Sequence, residues 1–191
     1  MSSRLIALGL CLGLAACGGK APPRNLDNAC SIASQRADIY RAMKKTERKW
    51  GVPVHVQMAT IHQESRFKDN ARTPYQWGLG VIPMGRQSSA YGYAQALDGT
   101  WDEYRRGPGR SGAKRSNIRD ATDFIGWYMD ASWRTLGIPK SDAKRQYLAY
   151  HEGRGGYARG SYNSKPWLLS VASSVESRAY AYKQQLRACG K

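Results

Sequence analysis

Ala59-Thr60-Ile61-His62-Gln63-Glu64-Ser65-Arg66-Phe67 decides how the rest of this chain reads. Just upstream, Val54, Met58, Ile61 and Ser65 recur at i, i+4, i+7 and i+11, and that spacing predicts a helix over 54–66 with one buried stripe. Glu64 stands one position off the stripe, so the helix can edge its carboxyl into a cleft. It also stands in the last turn, where the negative end of the helix dipole disfavours a carboxylate. Burial against aromatic neighbours would disfavour the charge further. Both effects raise a carboxyl pKa, as a general acid working near neutrality requires. A glutamate at a helix end is more often a plain solvated charge, so Glu64 gains meaning only from what surrounds it.

The surroundings read as helices. Ile39, Tyr40, Met43 and Trp50 are spaced helically over 33–50, and Gly51-Val52-Pro53 stops that run. Residues 69–97 are rich in Gly, Pro and aromatics and lack helical periodicity, and a segment of that length inside a compact domain is usually functional. A small irregular hairpin is expected near 75–95. Helices follow over 98–105, from Asn117 through Leu136, and over 141–150, with a basic Gly/Pro loop at 106–116. Gly153 to Asn163 reads as a loop, and a long helix closes the chain over 166–188, with Pro166 in its first turn. No run alternates with period two, so the fold class is all-α, one domain around one core.

The 30 Lys+Arg against 14 Asp+Glu give a formal net charge of +16. Nucleic acid, an anionic membrane and an acidic polymer are the partners such a charge can serve. The N-terminus chooses among them. Met1 to Arg4 carries one positive charge and Leu5 to Ala16 is apolar or small, the two leading regions of a secretory signal. That run is far shorter than the roughly 20 residues a spanning helix needs. It ends in Leu14-Ala15-Ala16-Cys17-Gly18, which resembles the lipobox of bacterial lipoproteins. The resemblance implies cleavage before Cys17 and diacylation of Cys17, a stable membrane anchor; the alternative is a plain signal with an incidental cysteine. Residues 1–16 then form a signal peptide, 17–29 a lipidated N-terminus and linker, and 30–191 the domain. Processing removes Arg4 and no acidic residue, so the charge passes from +16 to about +15. Export excludes nucleic acid as the natural partner. The expected location is periplasmic, on the outer membrane of a Gram-negative cell, and the expected state a monomer. Cys11 leaves with the signal, and Cys30 and Cys189, one near each end of the domain, can pair in an oxidising compartment or remain free thiols.

Three segments supply the context that Glu64 needs: Ala71-Arg72-Thr73-Pro74, Tyr91-Gly92-Tyr93-Ala94-Gln95-Ala96 and Ala149-Tyr150-His151-Glu152-Gly153. In that order, after the Glu64-Ser65 pair, they resemble the signature of the soluble lytic transglycosylase (SLT) family, whose fold is like goose-type lysozyme. The resemblance covers roughly residues 50–188. It implies a helical domain with long active-site loops, acting on peptidoglycan glycan strands. Glu64 would protonate the oxygen between N-acetylmuramic acid and N-acetylglucosamine, then act as base while the sugar's own 6-hydroxyl attacks, leaving a 1,6-anhydro end. Ordinary glycosidases use two carboxylates, and neither the Glu-Ser nor the Gly-x-x-Gln motif holds a second acid.

The resemblance also distributes roles. Ser65 would touch sugar substituents or order the Glu64 loop, Gln95 would bond an N-acetyl or lactyl group, and Tyr150 would orient the acid through its hydroxyl. His151 stands where the family has Asn, and it either binds substrate in a pH-dependent way or fills space. Glu152 beside it offers a hydrolytic second carboxylate if it faces the cleft, and otherwise a structural charge. Tyr91 and Tyr93 lead the candidate sugar platforms, with Tyr75, Trp77, Tyr157 and Tyr162 behind them. Trp101, Trp127 and Trp133 lie within helices and are expected in the core. The basic loop from Arg105 to Arg119 is either a solvated face or an attraction for peptide-stem carboxylates or phospholipid. No cofactor is expected, and His55, His62 and His151 lack the spacing of a metal site. Two other functions stay open: a lysozyme-like hydrolase and a noncatalytic wall-binding scaffold.

Overall fold

The computed structural model describes residues 21–191. The signal segment and Cys17 lie outside the described residues. The body is helical: α1 (Ala29–Gln35), α2 (Ala37–Trp50), α3 (Val54–Ser65), α4 (Asp98–Arg106), α5 (Ile118–Leu136), α6 (Ala143–Ala158) and α7 (Pro166–Ala188), with a 3-10 turn at Ser161–Ser164. One antiparallel hairpin, β1 (Tyr75–Gly78) and β2 (Ile82–Arg86), interrupts the series with an irregularity between Gln76 and Trp77.

Helix α3 is the hub. It packs against α2, α5, α6 and α7, and Val56, Met58, Ala59 and Ile61 are fully buried together with the polar Gln57 and Thr60. The single apolar stripe expected here is therefore too narrow a reading, because a helix enclosed this way is buried on most of its circumference. Its polar members are bonded within the core: Gln57 Nε2 donates to Met43 O and Val52 O at 3.1 and 2.7 Å, and Thr60 Oγ1 to Val56 O at 3.0 Å. Gln57 thus ties the end of α2 to the start of α3.

Two expected boundaries move. The predicted helix over 33–50 begins earlier and is broken at Arg36, where the backbone leaves the helical region (φ −128°, ψ 66°). The Arg36 guanidinium bonds Asp38, Ala21 O and the Tyr93 hydroxyl, which fixes the break from three sides. The predicted loop at 153–163 is instead largely helical: Gly153 takes φ 73°, ψ 155°, kinks α6, and the helix resumes to Ala158. By contrast α2 and α5 stop at Gly51 and Gly137, both left-handed, where the sequence places the ends.

The core runs from Ala29 to Leu186, and Cys30 is joined to Cys189 across 159 residues of sequence. By the chain-entropy model such a closure is worth about 3–5 kcal/mol. With its own core and closed ends, the described body has the makings of an independent folding unit. Among the described residues no helix is long and apolar enough to cross a membrane. Trp101 and Trp127 are buried, but Trp133, expected beside them, is 48% exposed and covered on one face by Lys140 Nζ at 4.3 Å from its ring centre.

Helices α2 and α5 approach closely at Gly126. A Cβ there would meet Thr46 Cγ2 and Trp50 Cδ1 at 2.5 Å each, and the Trp50 ring is held by its Nε1 bond to Asp123 at 2.9 Å. Ala normally gains about 1 kcal/mol over Gly within a helix; here overpacking reverses the sign. Gly126→Ala should lower stability by about 1–2 kcal/mol in denaturant titration, and an unchanged or raised midpoint would mean that Trp50 yields freely.

Candidate active site

Glu64 occupies the closing turn of α3, and α6 brings two tyrosines toward it. Tyr147 and Tyr150 are three apart on one helix and share a face. Tyr147 lies beside the Glu64 carboxylate and favours its charged form, whereas the Tyr150 hydroxyl donates to Ala94 O at 2.6 Å. This corrects the expected assignment: the Tyr150 hydroxyl is spent on the Ala94 carbonyl, and Tyr147 is the tyrosine that acts on the charge of the acid. Tyr150 instead fixes the loop beyond the acid, and its ring packs on Tyr128 and Phe124 at 5.1 and 6.3 Å. It remains close enough that the Glu64 charge opposes its ionisation.

Burial pushes the pKa of the Glu64 carboxyl up to about 7, with Tyr147 beside it pulling back part of that rise. Burial, then, is the leading cause. Burial first, and the Glu64 charge second, raise both tyrosines above the ordinary phenol range, so they stay protonated donors. Glu64 keeps partial access to solvent. A carboxyl that is half protonated near neutrality, reachable from outside and set beside a neutral donor can both give and take a proton.

The turn that follows is strained. Arg66 and Phe67 both have positive φ, 50° and 60°, which neither side chain favours. Phe67 is fully buried with its ring edge toward His62, and this burial holds the turn. Ser65 is buried as well, and its hydroxyl donates back to Ile61 O at 3.2 Å, so it lies inside the helix end and not toward a sugar.

The Gly-x-x-Gln segment is a clasp. Gly92 has φ +78°, and a Cβ there would collide with the Arg115 carbonyl. Gln95, also at positive φ (46°), donates from Nε2 to Ala71 O and Gly92 O at 2.9 Å each. Its amide nitrogen is committed to the loop, so the expected bond to an N-acetyl or lactyl group cannot come from that nitrogen. Tyr91 pairs with Arg72 and Ala96 and lies between the guanidinium groups of Arg72 and Arg115 at 4.3 and 5.5 Å. Tyr93 is 2% exposed with its hydroxyl on Arg36, a core residue, and the expectation of a sugar platform there is corrected. Tyr157 and Tyr162 stack on each other at 5.1 Å, while Tyr75 and Trp77 stand exposed on the hairpin.

Glu152 is a structural charge. Lys165 Nζ reaches both its oxygens at 2.7 and 2.9 Å, Ser161 donates to it, and the His151 ring lies at 3.2 Å. These partners, Lys165 first, pull its pKa down to about 2. His151 is exposed and packs edge-on to Trp167 at 5.2 Å. Part of the basic loop is also spent internally: Arg115 bonds Ser89 O, Ala96 O and Asp98, and Arg110 bonds Asp120. Among the described residues no cluster of His, Cys, Asp and Glu has the makings of a metal site.

A family model described as the transglycosylase SLT domain matches residues 5–189. The chain belongs to that family. No curated protein matches it. SLT-domain membership brings a transglycosylase class of activity and peptidoglycan as the class of substrate. In this SLT domain the family's order of motifs resolves into a carboxyl whose pKa burial raises, tyrosines of α6 beside it, and a clasped loop. Tyr147 is the residue that the sequence reading missed; its only signal was its place one turn before Tyr150.

Carboxyl-carbon NMR should give Glu64 a pKa near 7, and a still higher one in Tyr147→Phe, which removes the hydroxyl favouring the charged form; a value near 4.5 would mean a solvated group. A buried carboxyl with a raised pKa also lowers stability as pH rises from about 4.5 to about 7, where the unfolded chain has ionised and the folded one resists. Glu64→Gln should therefore melt above the parent at pH 8 by an amount that shrinks at pH 4.5, worth on the order of 3 kcal/mol.

Proposed function

We propose that this SLT domain is a lytic transglycosylase that cleaves the β-1,4 bond between N-acetylmuramic acid and N-acetylglucosamine with Glu64 as its single proton carrier, working from a lipid anchor at Cys17. The observation that carries the reading is the Glu64 carboxyl, poised near neutrality beside Tyr147. Protonated Glu64 gives its proton to the glycosidic oxygen as the C1–O bond breaks. Its carboxylate then takes the proton of the 6-hydroxyl, whose oxygen closes on C1. No water is consumed, the acid returns to its starting state, and the product ends in a 1,6-anhydro sugar.

Hydrolysis by inversion or retention needs a second free carboxylate on the other face of the sugar. Glu152, the acid nearest in sequence to the motif tyrosine, is occupied by Lys165 and Ser161, which favours the single-acid route. The anchor reading rests on Cys17 and its flanks. It places the protein in the periplasm, on the outer membrane of a Gram-negative cell.

Purified sacculi incubated with the processed chain should release anhydro-muropeptides by mass spectrometry, and Glu64→Gln should cut their rate by about 10²–10⁴-fold. Reducing-end products would move the reaction to hydrolysis, and no products from either protein would leave a wall-binding scaffold. Separately, growth of the producing cell with a clickable fatty acid should label the wild-type chain and leave Cys17→Ala unlabelled; an unlabelled wild type would remove the anchor.

A further inference from the structure

Between residues 77 and 84 the hairpin carries Trp77, Leu79, Val81, Ile82 and Met84, and every one is exposed, Leu79 by 93% and Val81 by 75%. Neither strand packs appreciably against a helix, and a two-stranded ribbon standing alone is marginal in water. Strand alternation puts Tyr75 and Trp77 on one face. On the other, a Cβ at Gly78 would meet Met84 and Ile82 at 3.3 and 3.7 Å. Both faces and the tip are therefore apolar, and no face is spent on the protein's own core. A concentrated patch of this kind marks an interaction site.

Charge and position say what meets it. From residue 71 to 97 the only charged side chains are Arg72 and Arg86, with no acid among them. Both sit at the root of the hairpin: Arg86 donates to Thr73 O at 2.7 Å and lies over Tyr75, and Arg72 lies over Tyr91. An aliphatic tip above a ring of arginine and aromatic side chains is the depth order of a segment seated in a bilayer interface. Leu79, Val81 and Ile82 have neither the flat face nor the polar handle with which Trp and Tyr hold a pyranose ring. The described chain also begins on this flank. Ala21 O accepts from Arg36, Arg36 also donates to the Tyr93 hydroxyl, and the neighbouring Tyr91 pairs with Arg72. Cys17 lies four residues before Ala21, a reach of at most about 14 Å.

We infer that the hairpin tip is a membrane-insertion element: Leu79, Val81, Ile82 and Met84 enter the edge of the acyl layer of a bilayer bearing anionic headgroups, with Arg72 and Arg86 at the level of the phosphates. The body is then held at two points, the acyl chains and the hairpin, and the direction in which the Glu64 cleft faces the wall is fixed. The inference rests on the anchor reading only for the side from which the bilayer approaches.

The test uses the unacylated chain 18–191 in flotation with phosphatidylcholine vesicles, with and without phosphatidylglycerol, beside sedimentation with sacculi. In that chain Val81→Cys would be the one free thiol, since Cys30 and Cys189 are paired, and it takes an environment-sensitive dye. The wild type should float with anionic vesicles, and the dye should shift to the blue. The double substitution Leu79→Ser, Ile82→Ser should lose at least about tenfold in partitioning with an unchanged melting temperature. Flotation that is equal in the double variant, no flotation of wild type, or a hairpin-dependent attachment to sacculi alone would each overturn the inference. The assay contains no acyl group, so hairpin-dependent flotation supports the inference even where Cys17 fails to label, and the two readings fall separately.

Discussion

Holding the Glu64 carboxyl away from water is unfavourable, and the body of the protein supplies what offsets it. The residue ends a helix enclosed on nearly every side, so the position of its side chain is set by the packing of α3 against four neighbours. Tyr150, whose charge-free ring packs on Tyr128 and Phe124, lies close enough to feel the Glu64 charge. Tyr147 favours the charged form of the carboxylate, but one neutral group is too little to restore an ordinary carboxylate pKa. A cationic donor in its place would have held the acid ionised and useless as a proton source.

The same economy governs the loops around the acid. Backbone in the left-handed region costs of order 1 kcal/mol or more for a residue such as Phe67 or Gln95. It persists where the surroundings over-determine it. Phe67 is held by complete burial, and Gln95 by two carbonyl acceptors and the close seat of Gly92 on Arg115. Strain of this kind survives only where the surroundings are rigid, so the clasp and the helix end are fixed parts of the site. Ser65 and Gln95, whose types suggest sugar contacts, are spent on that rigidity.

How much of this was legible in the sequence depends on which force decides each feature. Helix ends set by local backbone preference were legible, as at Gly51 and Gly137. The hairpin was legible as well, from turn residues and missing periodicity. What failed was decided by tertiary packing. Gly153 signals a stop, yet the chain turns through it and the helix resumes. Tyr147 and Tyr150 lie on one face, and only the Tyr150 bond to Ala94 O leaves Tyr147 as the one that favours the Glu64 charge. Tyr93 carries a platform residue's chemistry, but Arg36, far off in sequence and at a helix break that no propensity foretells, claims its hydroxyl. Trp133 failed in the other direction, because its position in a helix says nothing about which side faces out.

The charge of the chain acquires a geometry from these contacts. Acidic side chains serve largely as internal brackets: Asp123 for Lys49, Asp120 for Arg110, Asp130 for Lys140, Glu152 for Lys165. With 30 basic residues against 14 acidic ones, such pairing uses up the acids and leaves a large cationic excess facing outward. A field of that sign draws the protein toward anionic surroundings from any direction and orients it toward none in particular. Orientation has to come from short-range features. The proposed ones are the apolar hairpin and the segment at Ala21, joined through Arg36, Tyr93, Tyr91 and Arg72 on one flank. Long-range charge draws the domain toward an anionic surface; under the proposed membrane insertion, that flank decides which part of it touches and so which way Glu64 faces.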